Sequence, residues 1–168
     1  MKPLVVIVGP PGAGKTTIGT LLIEHLDAPF RDTDTDIMHT TGSTIADLFI
    51  DHGEEHFRTL ERQAVQRALT EHDGVLALGG GAILAAGTRE LLAGHRVLFL
   101  DVHVKDAAQR IGFNRDRPLL LGNPRAKWLK LMEGRRPLYT EVATRVVGTD
   151  GRTPDDIAKE VIGWLEEP

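Results

Sequence analysis

The chain of 168 residues contains 41% hydrophobic and 26% charged side chains, which is typical of one soluble globular domain with a buried core. Its formal net charge of −4 argues against a nucleic-acid-binding protein with a generally basic surface, and the lack of cysteine excludes disulfides and thiolate chemistry. No apolar run approaches the ~20 residues of a membrane span, and Met1–Pro3 shows no signal-peptide pattern, so we expect one cytoplasmic domain over residues 1–168.

The stretch Gly9–Thr16 reads Gly-Pro-Pro-Gly-Ala-Gly-Lys-Thr and fits the P-loop pattern G-x-x-x-x-G-K-[ST]. It lies between the apolar, β-branched run of Leu4–Val8 and a helical repeat of apolar residues over Lys15–Leu26. Glycines let successive N–H groups form an anion nest at the positive end of the following helix. Lys15 adds a charge for the β- and γ-phosphates, and the Thr16 hydroxyl can ligate Mg²⁺. Because all eight positions and both flanks match, we expect a bound nucleoside triphosphate rather than a plain turn.

Strand-like and helical patterns alternate along the rest of the chain. We predict five short strands, at residues 4–8, 29–33, 75–78, 97–100 and 145–147, of which those at 4–8, 75–78 and 97–100 are expected to be buried. We predict helices at residues 15–26, 35–40, about 44–52, 54–71, 88–93, 104–111, 126–139 and from 154 onward. Ser43 is the predicted cap of the third helix, Gly53 its end, and Gly134 and Pro137 are predicted to interrupt the helix at 126–139. This order predicts a three-layer α/β/α fold with a five-stranded parallel sheet, whose carboxyl edge binds ligands.

Two groups of residues should join the P-loop at that edge. Asp32 and Asp34 follow the second strand, and one carboxylate could hold Mg²⁺ through water while the other contacts a substrate hydroxyl. The same spacing equally fits turn-forming or helix-capping residues. Gly79–Gly81 follow the third strand at a folding cost of about 0.5–1 kcal/mol per glycine, which favours close approach of a ligand to the backbone. Arg58, one turn before Glu61, taken alone is typical of a solvated surface arginine.

The sequence resembles the shikimate kinase family along nearly its whole length. The matching pieces are G-x-x-G-x-G-K-T at 9–16, D-T-D at 32–34, G-E-x-x-F-R-x-x-E at 53–61, G-G-G-A at 79–82, R-P-L-L at 117–120 and R-x-P-L-Y at 135–139. The P-loop is shared by many activities, whereas the other five pieces in this order are much more specific. The resemblance implies a P-loop NTPase fold of the nucleoside-monophosphate-kinase-like type and ATP-dependent phosphorylation of the 3-hydroxyl of shikimate, in aromatic amino acid biosynthesis.

The resemblance also implies a role for each matching residue within a single kinase domain. The implied catalytic residues are Asp34 (which accepts the hydroxyl proton), Lys15 and Arg117. The implied substrate-binding residues are Asp34, Arg58, Glu61, Gly79, Gly80, Gly81 and Arg135, with a substrate-binding segment at about 33–61. The implied ATP-binding residues are Gly12, Ala13, Gly14, Lys15, Thr16, Thr17, Arg110, Arg117 and Pro154. Thr16 and Asp32 would hold Mg²⁺, Asp32 through water.

Further implications concern the lid and the substrate carboxylate. Residues 112–124 lack an apolar period and would form a mobile lid that carries Arg117. Arg58 and Arg135 would bind the shikimate carboxylate, and the adjacent Arg136 is the alternative to Arg135. Asp101, at the end of an apolar strand, is a weaker candidate for a magnesium ligand, because the triple glycine occupies the more relevant loop.

Two other functions are alternatives to the phosphorylation of shikimate. A kinase for another small polyol, such as gluconate, would not require two arginines aimed at a ring carboxylate, nor the triple glycine. A nucleotide-responsive binding protein would be expected to have lost the residues that transfer the phosphoryl group.

We expect shikimate as the partner, no nucleic acid or membrane, and a monomer. The zinc-helix motif needs a glutamate directly after its first histidine, but Gly53 follows His52, so His52 and His56 should be solvated. Trp128, Trp164 and Tyr139 are expected to pack in the core.

Overall fold

The computed structural model describes residues 2–111 and 123–168, with the backbone alone at 109–111. The five strands are β1 Val5–Val8, β2 Phe30–Asp32, β3 Val75–Ala77, β4 Val97–Asp101 and β5 Arg145–Gly148. The helices of the described residues are α1 Lys15–Leu26, α2 Thr33–Thr41, α3 Ile45–Glu71, α4 Ala86–Leu92, α5 Val104–Ile111, α6 Pro124–Val142 and α7 Pro154–Leu165, with a 3-10 helix at Ala82–Leu84.

The strands form one parallel sheet in the order β2-β3-β1-β4-β5, with flanking helices. The predicted three-layer α/β/α fold with a five-stranded parallel sheet is therefore confirmed. β1 lies at the centre, where all four of its residues are buried, as its continuously apolar sequence requires. Since β2, β3 and β1 are neighbours, their carboxyl ends place the P-loop, the Asp32–Asp34 segment and the glycine loop (Gly79–Gly81) at one edge.

The long helix α3 bends at Gly53, whose φ of 85° and ψ of 169° are not helical. The predicted break at Gly53 is therefore confirmed. The predicted cap was wrong by one residue, because Thr44 rather than Ser43 has the extended backbone of a cap and its Oγ1 accepts a hydrogen bond from the Asp47 N–H at 3.1 Å.

Helix α6 runs without a break through Gly134 and Pro137, so the predicted interruption was wrong. The helix presents a buried stripe, Trp128, Met132, Arg135 and Tyr139, spaced four, three and four residues apart. Packing of this stripe outweighs the local preference of glycine and proline against a helix interior. Asn123 caps α6 and Pro124 is its first residue, so these two residues do not belong to the predicted lid.

The rest of the predicted lid, residues 112–122 with Arg117, lies outside the described residues, as does the Arg110 side chain. No helix in the described part of the chain is both long enough and apolar enough to span a bilayer.

We expect alanine to have opposite effects at two glycines outside the candidate site. A Cβ at Gly74 would overlap the carbonyl oxygen of Pro29, beside the start of β3, so Gly74→Ala should lower the free energy of unfolding by about 1–3 kcal/mol. Gly163 lies on the exposed face of α7 with no atom near a Cβ, so Gly163→Ala should raise it by about 0.5–1 kcal/mol. Urea denaturation of both variants measures the difference, and equal effects would contradict this account.

Candidate active site

The P-loop wraps around the N-terminus of α1. Gly12 and Gly14 have φ values of 85° and 91°, in the left-handed region that favours glycine. Gly14 is the N-cap of α1, no side chain caps it, and the first turn holds no acidic residue, so the positive end of the helix is presented to an anion. Lys15 Nζ donates to the carbonyl oxygens of Gly9 at 2.7 Å and Pro10 at 3.2 Å, and therefore lies across the loop.

A cleft of about 220 Å³ opens between the P-loop and the start of α7. Its walls are Ala13, Gly14, Thr17, Ile18, Arg152, Pro154 and Ile157. The structure therefore brings together four of the residues predicted to bind ATP. The prediction missed Arg152, whose guanidinium donates to the Gly148 carbonyl at 3.0 Å and pairs with Glu160 at 3.0 Å. Arg152 lies two residues before Pro154, a predicted ATP-binding residue, and this closeness in sequence could have indicated that it lines the same cleft.

The two aspartates after β2 differ in their surroundings. Asp32 caps α2, because its Oδ1 accepts hydrogen bonds from the N–H groups of Asp34 at 2.8 Å and Thr35 at 3.4 Å. The capping alternative was thus correct for Asp32, and its second oxygen takes no part in the cap. Asp34 Oδ1 is buried with no hydrogen-bond partner among the described residues. Burial, and then the charge of Asp32, raise the pKa of Asp34 to about 6, although Lys15 and Arg58 act in the opposite direction.

Arg58 is not the solvated arginine that its local sequence suggested. Its side chain is only 15% exposed, and it donates to Glu61 Oε1 at 2.8 Å and to Glu54 Oε1 at 3.3 Å. The guanidinium carbon lies 5.8 Å from the ring centre of Phe49 and 5.3 Å from that of Phe57, a cation–π arrangement. Burial raises the pKa of Glu61, while Arg58 lowers it. The arginine is therefore held in a fixed place at the edge of the site.

The glycine loop is tightly packed at its first and last residues. A Cβ at Gly79 would lie 2.5 Å from Asp34 Oδ1 and 3.0 Å from Glu61 Oε2, while the Gly79 N–H donates to Thr33 Oγ1 at 3.1 Å. A Cβ at Gly81 would lie 2.6 Å from Arg58 Cζ. Two of the three glycines thus allow the site's own side chains to approach the backbone. The triple-glycine motif by itself predicts close approach of a ligand, and it does not predict this packing of Asp34, Glu61 and Arg58.

Gly80 is less crowded than its neighbours. A Cβ there would have ordinary contacts, 3.5 Å from Pro11 Cδ and 3.6 Å from an amino nitrogen of Arg135. Its carbonyl accepts a hydrogen bond from the Tyr139 hydroxyl at 2.5 Å. Burial raises the pKa of Tyr139 to about 12, so this hydroxyl stays protonated as a donor.

The two adjacent arginines of α6 point to different partners. Arg135 is 5% exposed and lies on the buried face beside the glycine loop. Arg136 donates to Asp101 Oδ1 at 3.0 Å and to the Val102 carbonyl at 3.3 Å. Arg135 therefore lies with the other residues of the candidate site, whereas Arg136 is paired with Asp101.

A second cavity, of about 400 Å³, opens beside Arg58. Its walls are Glu54, Glu55, Arg58, Glu61, Arg62, Gly81, Leu84 and Ala85. It contains three of the predicted substrate-binding residues, but neither Asp34 nor Arg135 lies in its wall. The exposed rings of His52 and His56 are 4.7 Å apart, and within residues 2–111 and 123–168 no group of three metal-binding side chains is found.

A P-loop at the centre of a parallel sheet, beside a buried carboxylate and two anchored arginines, defines a small-molecule kinase of the P-loop NTPase fold. The family model for shikimate kinase matches residues 11–166. This chain belongs to the shikimate kinase family.

Relatives and solved structures agree. The shikimate kinase of Streptomyces avermitilis is 58% identical over 164 residues, which cover 98% of this chain and 96% of the relative. That of Salinispora arenicola is 54% identical over 98% of this chain and 99% of the relative. The structure of the shikimate kinase from Acinetobacter baumannii in complex with shikimate has a TM-score of 0.92, at 38% identity, and the match covers 98% of this chain and 93% of that chain.

We expect alanine at Gly81 to impair substrate binding without unfolding the protein. The Cβ would displace the end of the Arg58 side chain, which can move, rather than backbone, which cannot. The KM for shikimate should rise at least about tenfold, since a charged hydrogen bond contributes about 1.5–3 kcal/mol. Gly87→Ala, where a Cβ meets no atom, is the matched control. Steady-state kinetics and thermal unfolding measure both effects, and an unchanged KM in Gly81→Ala would contradict the role given to Arg58.

Proposed function

We propose a residue-level mechanism for the reaction of this family, the transfer of the γ-phosphoryl group of ATP to the 3-hydroxyl of shikimate. The observation that carries it is Oδ1 of Asp34, which is buried without a hydrogen-bond donor among the described residues, in a carboxylate that feels the charges of Lys15 and Arg58. A buried acceptor of this kind is unfavourable until a donor arrives, and the substrate hydroxyl is such a donor.

In the proposal, the P-loop binds the triphosphate and the cleft beside Pro154 binds the adenine. The phosphates would meet the backbone N–H groups over residues 12–17 and the positive end of α1, which explains why no acidic side chain lies in its first turn. Lys15 would exchange the carbonyls of Gly9 and Pro10 for the β- and γ-phosphates. We also assign Arg110 to the adenine and Arg117 to the transferring phosphate, on the resemblance alone.

We propose Thr16 and Asp32 as the residues that hold Mg²⁺, the aspartate through water. The donor set fits this ion, since hydroxyl and carboxylate oxygens are the ligands that it prefers. Asp32 uses only Oδ1 to cap α2, which leaves the other oxygen for a bound water. When bound, the ion neutralises charge that builds up on the phosphates.

Asp34 is the proposed base. It would accept the proton of the 3-hydroxyl as the new oxygen–phosphorus bond forms, while the bond from the γ-phosphorus to the bridging oxygen breaks and ADP leaves. Arg58 and Arg135 would bind the carboxylate with their planar guanidinium groups, and Glu61 would hold Arg58 in place. The backbone of Gly79–Gly81 would line the ring. Alignment of the acceptor with the γ-phosphate then supplies much of the catalysis.

We further propose that the enzyme works as a monomer in the cytoplasm, without nucleic acid or membrane. One chain supplies the described nucleotide and substrate groups, which supports a site that needs no second copy. The formal net charge of −4 supports binding of shikimate and ATP through local arginines and lysines rather than through a general basic surface.

The adjacent arginines of α6 provide a matched test of the substrate assignment. Arg135→Lys should raise the KM for shikimate about tenfold or more, because a lysine cannot form the bidentate contact. Arg136→Lys should change it less than about threefold, because Arg136 pairs with Asp101 instead. Coupled release of ADP measures both, with arms that contain shikimate, gluconate or no acceptor. A larger effect at Arg136, or equal release with gluconate, would contradict the assignment.

Replacement of Asp34 should separate stability from activity. Asp34→Asn removes a buried charge, so in metal-free buffer at pH 7–8 the free energy of unfolding should rise by about 2–3 kcal/mol. Folding raises the pKa of Asp34 from 3.8 to about 6, so the ionised carboxylate lowers the free energy of unfolding. This destabilisation is present above pH 6 and decreases as the pH falls toward 3.8. Phosphoryl transfer should fall by at least about a hundredfold, while ATP binding is nearly unchanged.

The control for this variant is Asp36→Asn. Asp36 lies in the same helix but pairs with Arg31 at 2.6 Å, so its replacement should not stabilise the protein. Urea denaturation over pH 4–8 and ADP release test both variants. Full turnover by Asp34→Asn would remove Asp34 from its role.

A further inference from the structure

The buried face of α6 carries two side chains that the reaction itself does not use. Trp128, Met132, Arg135 and Tyr139 are 1%, 1%, 5% and 0% exposed. The arginine is already assigned to the substrate and the methionine is apolar. The tryptophan and the tyrosine each carry one polar group, and burial of such a group requires a partner.

The partner of Trp128 is the P-loop. Its indole Nε1 donates to the Pro11 carbonyl at 3.3 Å, across 117 residues of sequence. The carbonyls of Gly9 and Pro10 are bound by Lys15, which the proposed mechanism moves to the phosphates. The Trp128 bond does not involve Lys15, so it can hold the loop both before and after the nucleotide binds.

The partners of Tyr139 are the glycine loop and the side chain of Arg135, with which its hydroxyl also forms a hydrogen bond. Its hydroxyl donates to the Gly80 carbonyl at 2.5 Å, and its ring packs on Phe99 of β4 with centroids 5.0 Å apart. One helix therefore holds two loops, one from each half of the candidate site.

The two loops also lie against each other. A Cβ at Gly80 would be 3.5 Å from Pro11 Cδ and 3.6 Å from the Gly9 carbonyl oxygen, which is ordinary van der Waals contact. We propose that Trp128 and Tyr139 are positioning residues, whose hydrogen bonds to the Pro11 and Gly80 carbonyls hold the P-loop and the glycine loop in register for transfer. This inference rests on the proposed function, because it assigns the nucleotide to one loop and shikimate to the other.

Variants that keep the ring and remove the donor test the proposal. Trp128→Phe should raise the KM for ATP about three- to tenfold, the effect of one lost buried hydrogen bond, and leave the KM for shikimate within twofold. Tyr139→Phe should show the opposite pattern, with the larger effect on shikimate. Trp164→Phe is the matched control, since Trp164 packs against the core and should change neither KM. Equal changes in both KM values, or loss of thermal stability with unchanged KM values, would overturn the proposal.

A spectroscopic readout keeps the proposal testable if Trp128→Phe does not fold. The chain has two tryptophans, so in Trp164→Phe the emission comes from Trp128 alone. Addition of ADP without shikimate would bring the charge of its phosphates to the loop that the indole contacts, so the emission should change with a saturating dependence on ADP while the hydrogen bond stays in place. An emission that ADP leaves unchanged would overturn the P-loop contact. Because this arm needs no phosphoryl transfer, its result is separate from failure of the proposed function, which the assays of Arg135 and Asp34 report.

Discussion

The candidate site depends on one constraint: a carboxylate must be buried at the edge of the sheet without a partner of its own. Asp34 meets this constraint because the Gly79 backbone comes so close that a Cβ would lie 2.5 Å from its Oδ1. The strand order brings the two loops together, since β3 pairs with both β2 and β1. Burial of an unpaired carboxylate oxygen lowers the stability of the fold, and the apolar core around β1 offsets this cost. Binding of a hydroxyl donor would remove part of the cost.

The cationic groups of the site are placed in a different way from Asp34. Lys15 is held by backbone oxygens, and Arg58 by Glu61 and two aromatic rings. Arg135 is buried in the stripe of α6. Each of these side chains is ordered before any ligand arrives, so binding costs less side-chain entropy. The proposed anion-binding groups are therefore held in place and Oδ1 of the proposed base has no partner among the described residues, which suits an acceptor that brings both a carboxylate and a hydroxyl.

Patterns that are local in sequence predicted the fold and the core of the site. The P-loop, the break at Gly53 and the five strands follow from short motifs and from periodicity. What failed was decided by distant contacts. The buried stripe of α6 overrides Pro137, and Arg58 is packed against the Gly81 backbone of the glycine loop, which its own neighbours in sequence do not show. The bonds of Trp128 to Pro11 and of Tyr139 to Gly80 join residues more than fifty apart, and no short pattern encodes such pairs.

The unequal exposure of the two acids that hold Arg58 has a consequence for selectivity. The side chain of Glu61 is 4% exposed, whereas that of Glu54 is 55% exposed and can swing into solvent. An incoming carboxylate would thus compete with Glu54 and replace it, acid for acid, while Glu61 stays in place. A neutral sugar alcohol has no negative group that could displace Glu54 from the Arg58 guanidinium. Pairing of Glu54 with Arg58 would then lower the affinity for uncharged acceptors, which cannot take the place of Glu54.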